Sequence, residues 1–113
     1  MPDPKLPWET DCRTVERQLR DGGKFLLLDC RERDEYDLVR IEGAKLLPMS
    51  ELESRAAELE PYRDHHIVAH CHHGGRSLKV ASWLRQNGWA NAQSMSGGID
   101  QWAQEIDPGL PRY

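Results

Sequence analysis

The residues best suited to chemistry lie together near the middle of the chain. The apolar run Ile67-Val68-Ala69 leads through His70 to Cys71, and Cys-His-His-Gly-Gly-Arg then opens a helix-like stretch beginning at Ser77. Gly74 and Gly75 allow a tight turn whose backbone N–H groups point inward, while Arg76 and the helix start add positive potential. Such a cradle favours a thiolate and the anions bonded to it. A free cysteine with a pKa of about 8.5 is only about one-tenth thiolate at pH 7.5, so majority ionisation needs ~1.4 kcal/mol in favour of the anion. A helix terminus alone supplies ~0.3–1 kcal/mol. Inward N–H groups, together with Arg76, are therefore expected to supply the rest. The plainer alternative is a Gly-rich turn after a buried strand, with Cys71 as a core residue. An arginine immediately before a helix makes that alternative less attractive.

The chain around this loop has 113 residues, enough for one domain (1–113) with a proper core and one site. Its apolar content of 38% with nine glycines suits a globular protein rather than a disordered one. No apolar run approaches the ~18 residues of a membrane span, and Met1-Pro2-Asp3-Pro4-Lys5 lacks the order of a signal peptide. The expected location is cytoplasmic. A net charge of −4 with mixed signs argues against nucleic acid and points to a small ligand. Cys12, Cys30 and Cys71 suit neither a disulfide framework nor a Cys-x-x-Cys pair. Cys12 shares a helical face with Val15 and Leu19, and Cys30 follows the run Phe25 to Leu28. Both read as core residues, with a resolving thiol as the alternative for Cys30.

The elements that must position Cys71 follow from periodicity and punctuation. Residues 1–8 read as an irregular arm pinned by Trp8, and Thr10 or Thr14 is expected to cap a helix ending at Asp21-Gly22-Gly23. Phe25 to Asp29 reads as a buried strand, Arg31 to Leu38 as a brief helix or turn, and Ala44 to Leu47 as a short strand closed by Pro48. Ser50 and Glu53 match a capping box for a helix with Leu52, Ala56 and Leu59 on one face, which Pro61 would end. His66 to His70 is the next strand. The helix after the loop has Val80, Ala81 and Leu84 as its inner stripe and Asn87-Gly88 as its stop. A strand from Ala92 to Met95, a Gly97-Gly98 turn and a helix through Trp102 complete the order, before an irregular tail at 107–113. Strands alternating with helices imply an α/β fold with a mainly parallel central sheet flanked by helices, and ligands then bind at the carboxyl ends of strands.

Four segments resemble the single-domain rhodanese family, from about Leu26 to Trp102. Leu27-Leu28-Asp29-Cys30-Arg31 with Glu35 resembles an apolar strand ending in Asp-x-Arg, and Ile41-Glu42-Gly43-Ala44 resembles an Ile-Pro-Gly-Ala turn. Cys71-His72-His73-Gly74-Gly75-Arg76-Ser77 matches the C-x-x-G-x-R-S loop, and Gly97-Gly98-Ile99-Asp100-Gln101-Trp102 resembles the closing Gly-Gly helix start. The resemblance implies a rhodanese-like three-layer domain and a sulfurtransferase. Cys71 would take a sulfane sulfur from a donor such as thiosulfate, become a persulfide, and pass the sulfur to a thiol, to cyanide or to a thioredoxin-like protein. His72, His73, Gly74, Gly75 and Arg76 would form the substrate-binding cradle, with no metal and no organic cofactor. Asp29, Arg31 and Glu35 read as structural ion-pair residues.

The resemblance also supplies rivals. Related phosphatases of the cell-cycle-activating type carry one more residue between Cys and Arg than the four found here, and the tighter loop suits one sulfur atom better than a phosphate. No second cysteine lies in the loop, which weakens an arsenate-reductase reading. A non-catalytic binding or regulatory module of the same fold is the other rival, against which stand Cys71 and both loop glycines. His72 replaces a basic residue found in many relatives, and Arg40 and Glu42 replace a His and a Pro. All five histidines fall between His65 and His73. They suggest a metal site, but strand alternation sends His66 and His70 to one face and Cys71 to the other. A pH-sensitive rim at His72 or His73 is the other functional reading, beside ordinary strand and loop histidines. Trp83, Trp89 and Trp102 are expected to fill edges between helices and sheet.

Overall fold

The computed structural model describes residues 6–113. Five strands alternate with helices: β1 (Glu9–Thr10), α1 (Cys12–Asp21), β2 (Phe25–Asp29), α2 (Arg33–Leu38), β3 (Lys45–Leu46), α3 (Leu52–Arg55), β4 (His66–His70), α4 (Gly75–Gln86), β5 (Ala92–Met95) and α5 (Gly98–Glu105). All pairings are parallel, in the order β1-β5-β4-β2-β3. The α/β architecture with a central parallel sheet is therefore as expected. β2 and β4 read as continuous apolar runs because helices cover both of their faces. On one face Leu26, Leu28, Ile67 and Ala69 pack against Leu52, Val80, Ala81 and Leu84 of α3 and α4. On the other, Leu27 and Val68 meet Cys12 and Val15 of α1 and Ile99 and Trp102 of α5.

β2 and β4 run in full register from Phe25 opposite His66 to Asp29 opposite His70. The next residues, Cys30 and Cys71, leave the sheet side by side and both belong to the α4 face. Beside them a buried ion pair closes the end of β2. Arg31 and Asp29 are both fully buried, and the guanidinium donates from Nε to Asp29 Oδ1 at 2.9 Å and from Nη2 to Asp29 Oδ2 at 2.7 Å. Nη2 also reaches the Val39 carbonyl at 2.6 Å, which ties the chain beyond α2 to the sheet. The bidentate fork makes arginine the fitting cation here.

Several local expectations need correction. The cap of α1 is Asp11, whose carboxylate accepts from the Thr14 N–H at 2.8 Å, while Thr10 lies in β1 instead. That strand begins directly after the expected irregular arm (1–8) and pairs with β5; residues 1–5 of the arm lie outside the described residues. Trp8 is pinned as expected, with the Arg85 guanidinium 3.9 Å above its ring. Ser50 and Glu53 form no capping box. The Ser50 hydroxyl donates instead to the Glu32 carboxylate at 2.9 Å, within a 3-10 turn at Met49–Glu51. α3 is then a single turn, continued by a 3-10 helix at Ala56–Tyr62 that contains Pro61 rather than ending before it. Proline there forgoes one helical hydrogen bond, next to the last residue of the 3-10 helix. The most consequential difference is at α4, which starts at Gly75 rather than Ser77. Its hydrogen-bond ladder begins with the Leu78 N–H to the Gly74 carbonyl at 3.1 Å, so Arg76 already sits in the first turn.

Truncating Arg31→Ala would leave Asp29 as a buried, unpaired carboxylate. Urea denaturation is expected to show a loss of about 3–5 kcal/mol, and Arg31→Lys, which lacks the fork, should recover only part of it.

Candidate active site

Cys71 follows β4 directly and is 1% exposed, at the floor of the loop that leads into α4. Three donors converge on its sulfur. The Gly74 N–H points at Sγ from 3.1 Å, the Ser77 N–H from 3.4 Å, and the Ser77 hydroxyl lies 3.4 Å away. Gly74 makes this possible with φ of +123°, a conformation that a side chain resists. The Ser77 hydroxyl is steered from below by Ser94 of β5, 2.7 Å away. With Cys71 ionised, the Ser77 proton turns to the sulfur and Ser94 supplies the proton that Ser77 accepts.

A further influence on the sulfur comes from the neighbouring strand. Cys30 stands beside Cys71 through the register of β2 and β4, and its thiol donates to the His70 carbonyl at 3.2 Å. A thiol has one proton, and an anionic sulfur is the stronger acceptor, so an ionised Cys71 draws it. That hydrogen bond is the largest influence on Cys71. Ser77 and the Gly74 N–H act in the same direction, burial opposes them, and the thiol is brought down to about 4. The reciprocal hydrogen bond and burial push Cys30 well above an ordinary thiol. Burial likewise raises Cys12 to about 11. One cysteine of three is thus a thiolate at neutral pH.

The loop is held open toward the sulfur by what it does on its outer side. The Ile99 N–H donates to the Cys71 carbonyl at 2.9 Å, and the Asp100 N–H to the His72 carbonyl at 3.1 Å. These first N–H groups of α5 turn two carbonyls away from the loop interior, which leaves the interior to N–H groups. Gly98 permits the approach: with φ of +59°, a Cβ there would stand 2.5 Å from the Cys71 carbonyl oxygen.

Of the expected cradle, Gly74 takes part directly, whereas no hydrogen bond joins Gly75, His72 or His73 to the sulfur among the described residues. Arg76, read from the sequence as a fixed positive group that can orient or hold the loop, is anchored at the rim. Its guanidinium forks onto the Glu35 carboxylate of α2, at 2.6 and 2.9 Å. Hydrogen bonds from Arg76 and Tyr113 hold Glu35 down at about 2 against partial burial, and the same arginine also interacts through its charge with Cys71. The ring of His72 stacks on His73, with centroids 4.0 Å apart. His66 is engaged elsewhere, by Gln18 and Gln93 at 2.7 and 2.6 Å. His70 is fully buried and disfavoured as a cation by that burial.

Four contributors escaped the reading of the sequence: Ser94, Gly98, Tyr113 and Cys30 as a donor. For Cys30 a signal existed, since two apolar strands of equal length each end one residue before a cysteine. In-register parallel pairing makes those cysteines neighbours, at a strand spacing of about 4.8 Å.

The alkylation rate of Cys71 by iodoacetamide is expected to stay flat between pH 6 and 8, where an ordinary thiol would gain about tenfold per unit. Replacing Cys30→Ala removes a donor to the thiolate and so must raise the midpoint, by about one unit. An unmoved midpoint in that variant would sink the assigned role of Cys30.

The chain and its fold have counterparts among known proteins. The family described as Rhodanese-like domain matches residues 13–105. A Sulfurtransferase of Allochromatium vinosum is 33% identical over 103 residues, covering 91% of this chain and 92% of the relative. The Adenylyltransferase and sulfurtransferase MOCS3-2 of Zea mays is 32% identical over 107 residues; the match covers 90% of this chain, which spans only 22% of that relative's length. The crystal structure of a rhodanese-related protein from Thermoplasma volcanium superposes with a TM-score of 0.76 at 28% identity, covering 93% of this chain and 96% of the other. A parallel sheet, a strand-end cysteine ringed by N–H donors and relatives named as sulfurtransferases lead to one placement: the chain belongs to the rhodanese-like family.

Proposed function

We propose that the protein is a sulfurtransferase that carries sulfane sulfur on Cys71 as a persulfide. The observation that carries this reading is the buried Cys71 thiolate, brought to about 4 by donors that converge on Sγ. In the first half-reaction the thiolate attacks the outer sulfur of a donor such as thiosulfate. The S–S bond of the donor breaks, sulfite leaves with the electron pair, and Cys71 holds an anionic persulfide. In the second, a thiol or cyanide attacks the outer persulfide sulfur and Cys71 departs as the thiolate. A low thiol pKa serves both halves, as attacking group and as leaving group. The Gly74 and Ser77 N–H groups are placed to follow the charge as it moves outward.

His72 to Arg76 form the walls that receive the donor, with Arg76 holding the loop through Glu35 rather than binding the anion itself. Since Arg76 is engaged by Glu35 and no free guanidinium faces the sulfur among the described residues, thiosulfate is expected to be a slow donor. The chemistry calls for no cofactor. Three free thiols suit a reducing compartment, and the cytoplasm is the proposed location.

Intact-mass measurement after incubation with thiosulfate should show one added sulfur atom on the wild-type protein, lost again on treatment with cyanide. Cys71→Ser should gain none. A wild-type mass that stays unchanged with every sulfane donor tried would instead favour the non-catalytic module.

A further inference from the structure

Beyond α5 the chain turns back over the molecule and ends against the Cys71 loop. Leu110 packs beside Trp102 and Ile106, and Arg112 forks onto Asp100 of α5 at 2.9 and 3.2 Å. Tyr113 then lies along the rim. Its ring is nearly parallel to that of His72, at 7° and a centroid distance of 3.9 Å, so His72 is sandwiched between Tyr113 and His73. Its hydroxyl donates to Glu35 Oε2 at 2.7 Å and accepts from Arg31 Nη1 at 3.0 Å. The same Glu35 carboxylate binds Arg76. One aromatic side chain thus touches the first residue after Cys71 and reaches, through a single carboxylate, the arginine at the far end of the loop.

We infer that Tyr113 is a specificity-determining residue, an aromatic wall that sets how large a reagent can reach Cys71. The inference rests on the proposed sulfur chemistry only for the kind of reagent that matters. Small donors of thiosulfate size pass beside the wall, whereas bulky sulfane donors require the phenol to leave Arg31 and Glu35. Two hydrogen bonds, one stacking contact and the Arg31 guanidinium 5.8 Å from the ring centre hold the residue, which remains 40% exposed, so it is placed to be displaced. A residue needed only for the core would be buried among apolar side chains, and its loss would affect small and large reagents alike.

The test compares two alkylating probes on Cys71, iodoacetamide as the small one and fluorescein maleimide as the bulky one, with the site confirmed by peptide mass mapping. Opening the wall by Tyr113→Ala should raise the bulky-probe rate about tenfold, the shift expected from losing two ordinary hydrogen bonds, and leave the iodoacetamide rate nearly unchanged. A change of about threefold or more in the ratio of the two rates, in that direction, supports the wall; any smaller change, or a reverse one, overturns it. Should circular dichroism show that Tyr113→Ala is unfolded, Tyr113→Phe, which keeps the ring and loses both hydroxyl contacts, is judged by the same criterion. Alkylation needs no sulfur donor, so an unchanged ratio counts against the wall alone. Failure of the wild-type protein to take up sulfur counts against the proposed reaction alone.

Discussion

An ionised sulfur almost sealed from solvent cannot exist without donors around it, and the arrangement of this protein follows from meeting that constraint. Cys71 loses most of its water by sitting at the end of β4 beneath the loop. The compensation comes from four directions: Gly74 and Ser77 in the loop, Cys30 on the adjacent strand, and Ser94 acting through Ser77. Burial alone would push the thiol up, as it does at Cys12. The contrast between Cys12 and Cys71, both buried cysteines at the ends of secondary elements, shows that partners rather than burial decide the outcome.

These donors belong to different segments, so the fold has to hold the segments in fixed relation. The full register of β2 and β4 delivers Cys30 to Cys71. α5 delivers two N–H groups to the outer carbonyls of the loop and requires glycine at residue 98 to approach closely enough. α2 delivers Glu35 to Arg76, and α2 itself is tied to the sheet end by Arg31 through the Glu35 and Val39 carbonyls. Positive charge on the loop is thereby used for position. Nearby neutral donors dominate the field felt by the sulfur, and they keep their strength in a dry site without attracting counterions from solvent.

Much of this was legible in the amino-acid order, and the reasons are specific. The apolar runs at Phe25 to Asp29 and His66 to His70 announced two covered strands, and their bounds match β2 and β4. Cys71, its glycines and the following helix were readable because turn chemistry is local. What stayed hidden depends on contacts distant in sequence. The partner of Arg76 is visible only once Glu35, forty-one residues earlier, is placed opposite it. Tyr113 ends an apparently irregular tail and contacts the loop only because α5 turns it back. Ser50 and Glu53 have capping-box spacing, but Glu32 competes successfully for the Ser50 hydroxyl.

The two edges of the sheet have a bearing on how other proteins can meet it. β1 and β3 are each two residues long, half or less of the lengths of the three strands between them. Among the described residues, a partner chain seeking to extend the sheet by strand addition finds almost no unpaired backbone ladder on which to align. Macromolecular recognition is therefore directed to side chains and loops, and the molecule carries little intrinsic tendency toward edge-to-edge aggregation.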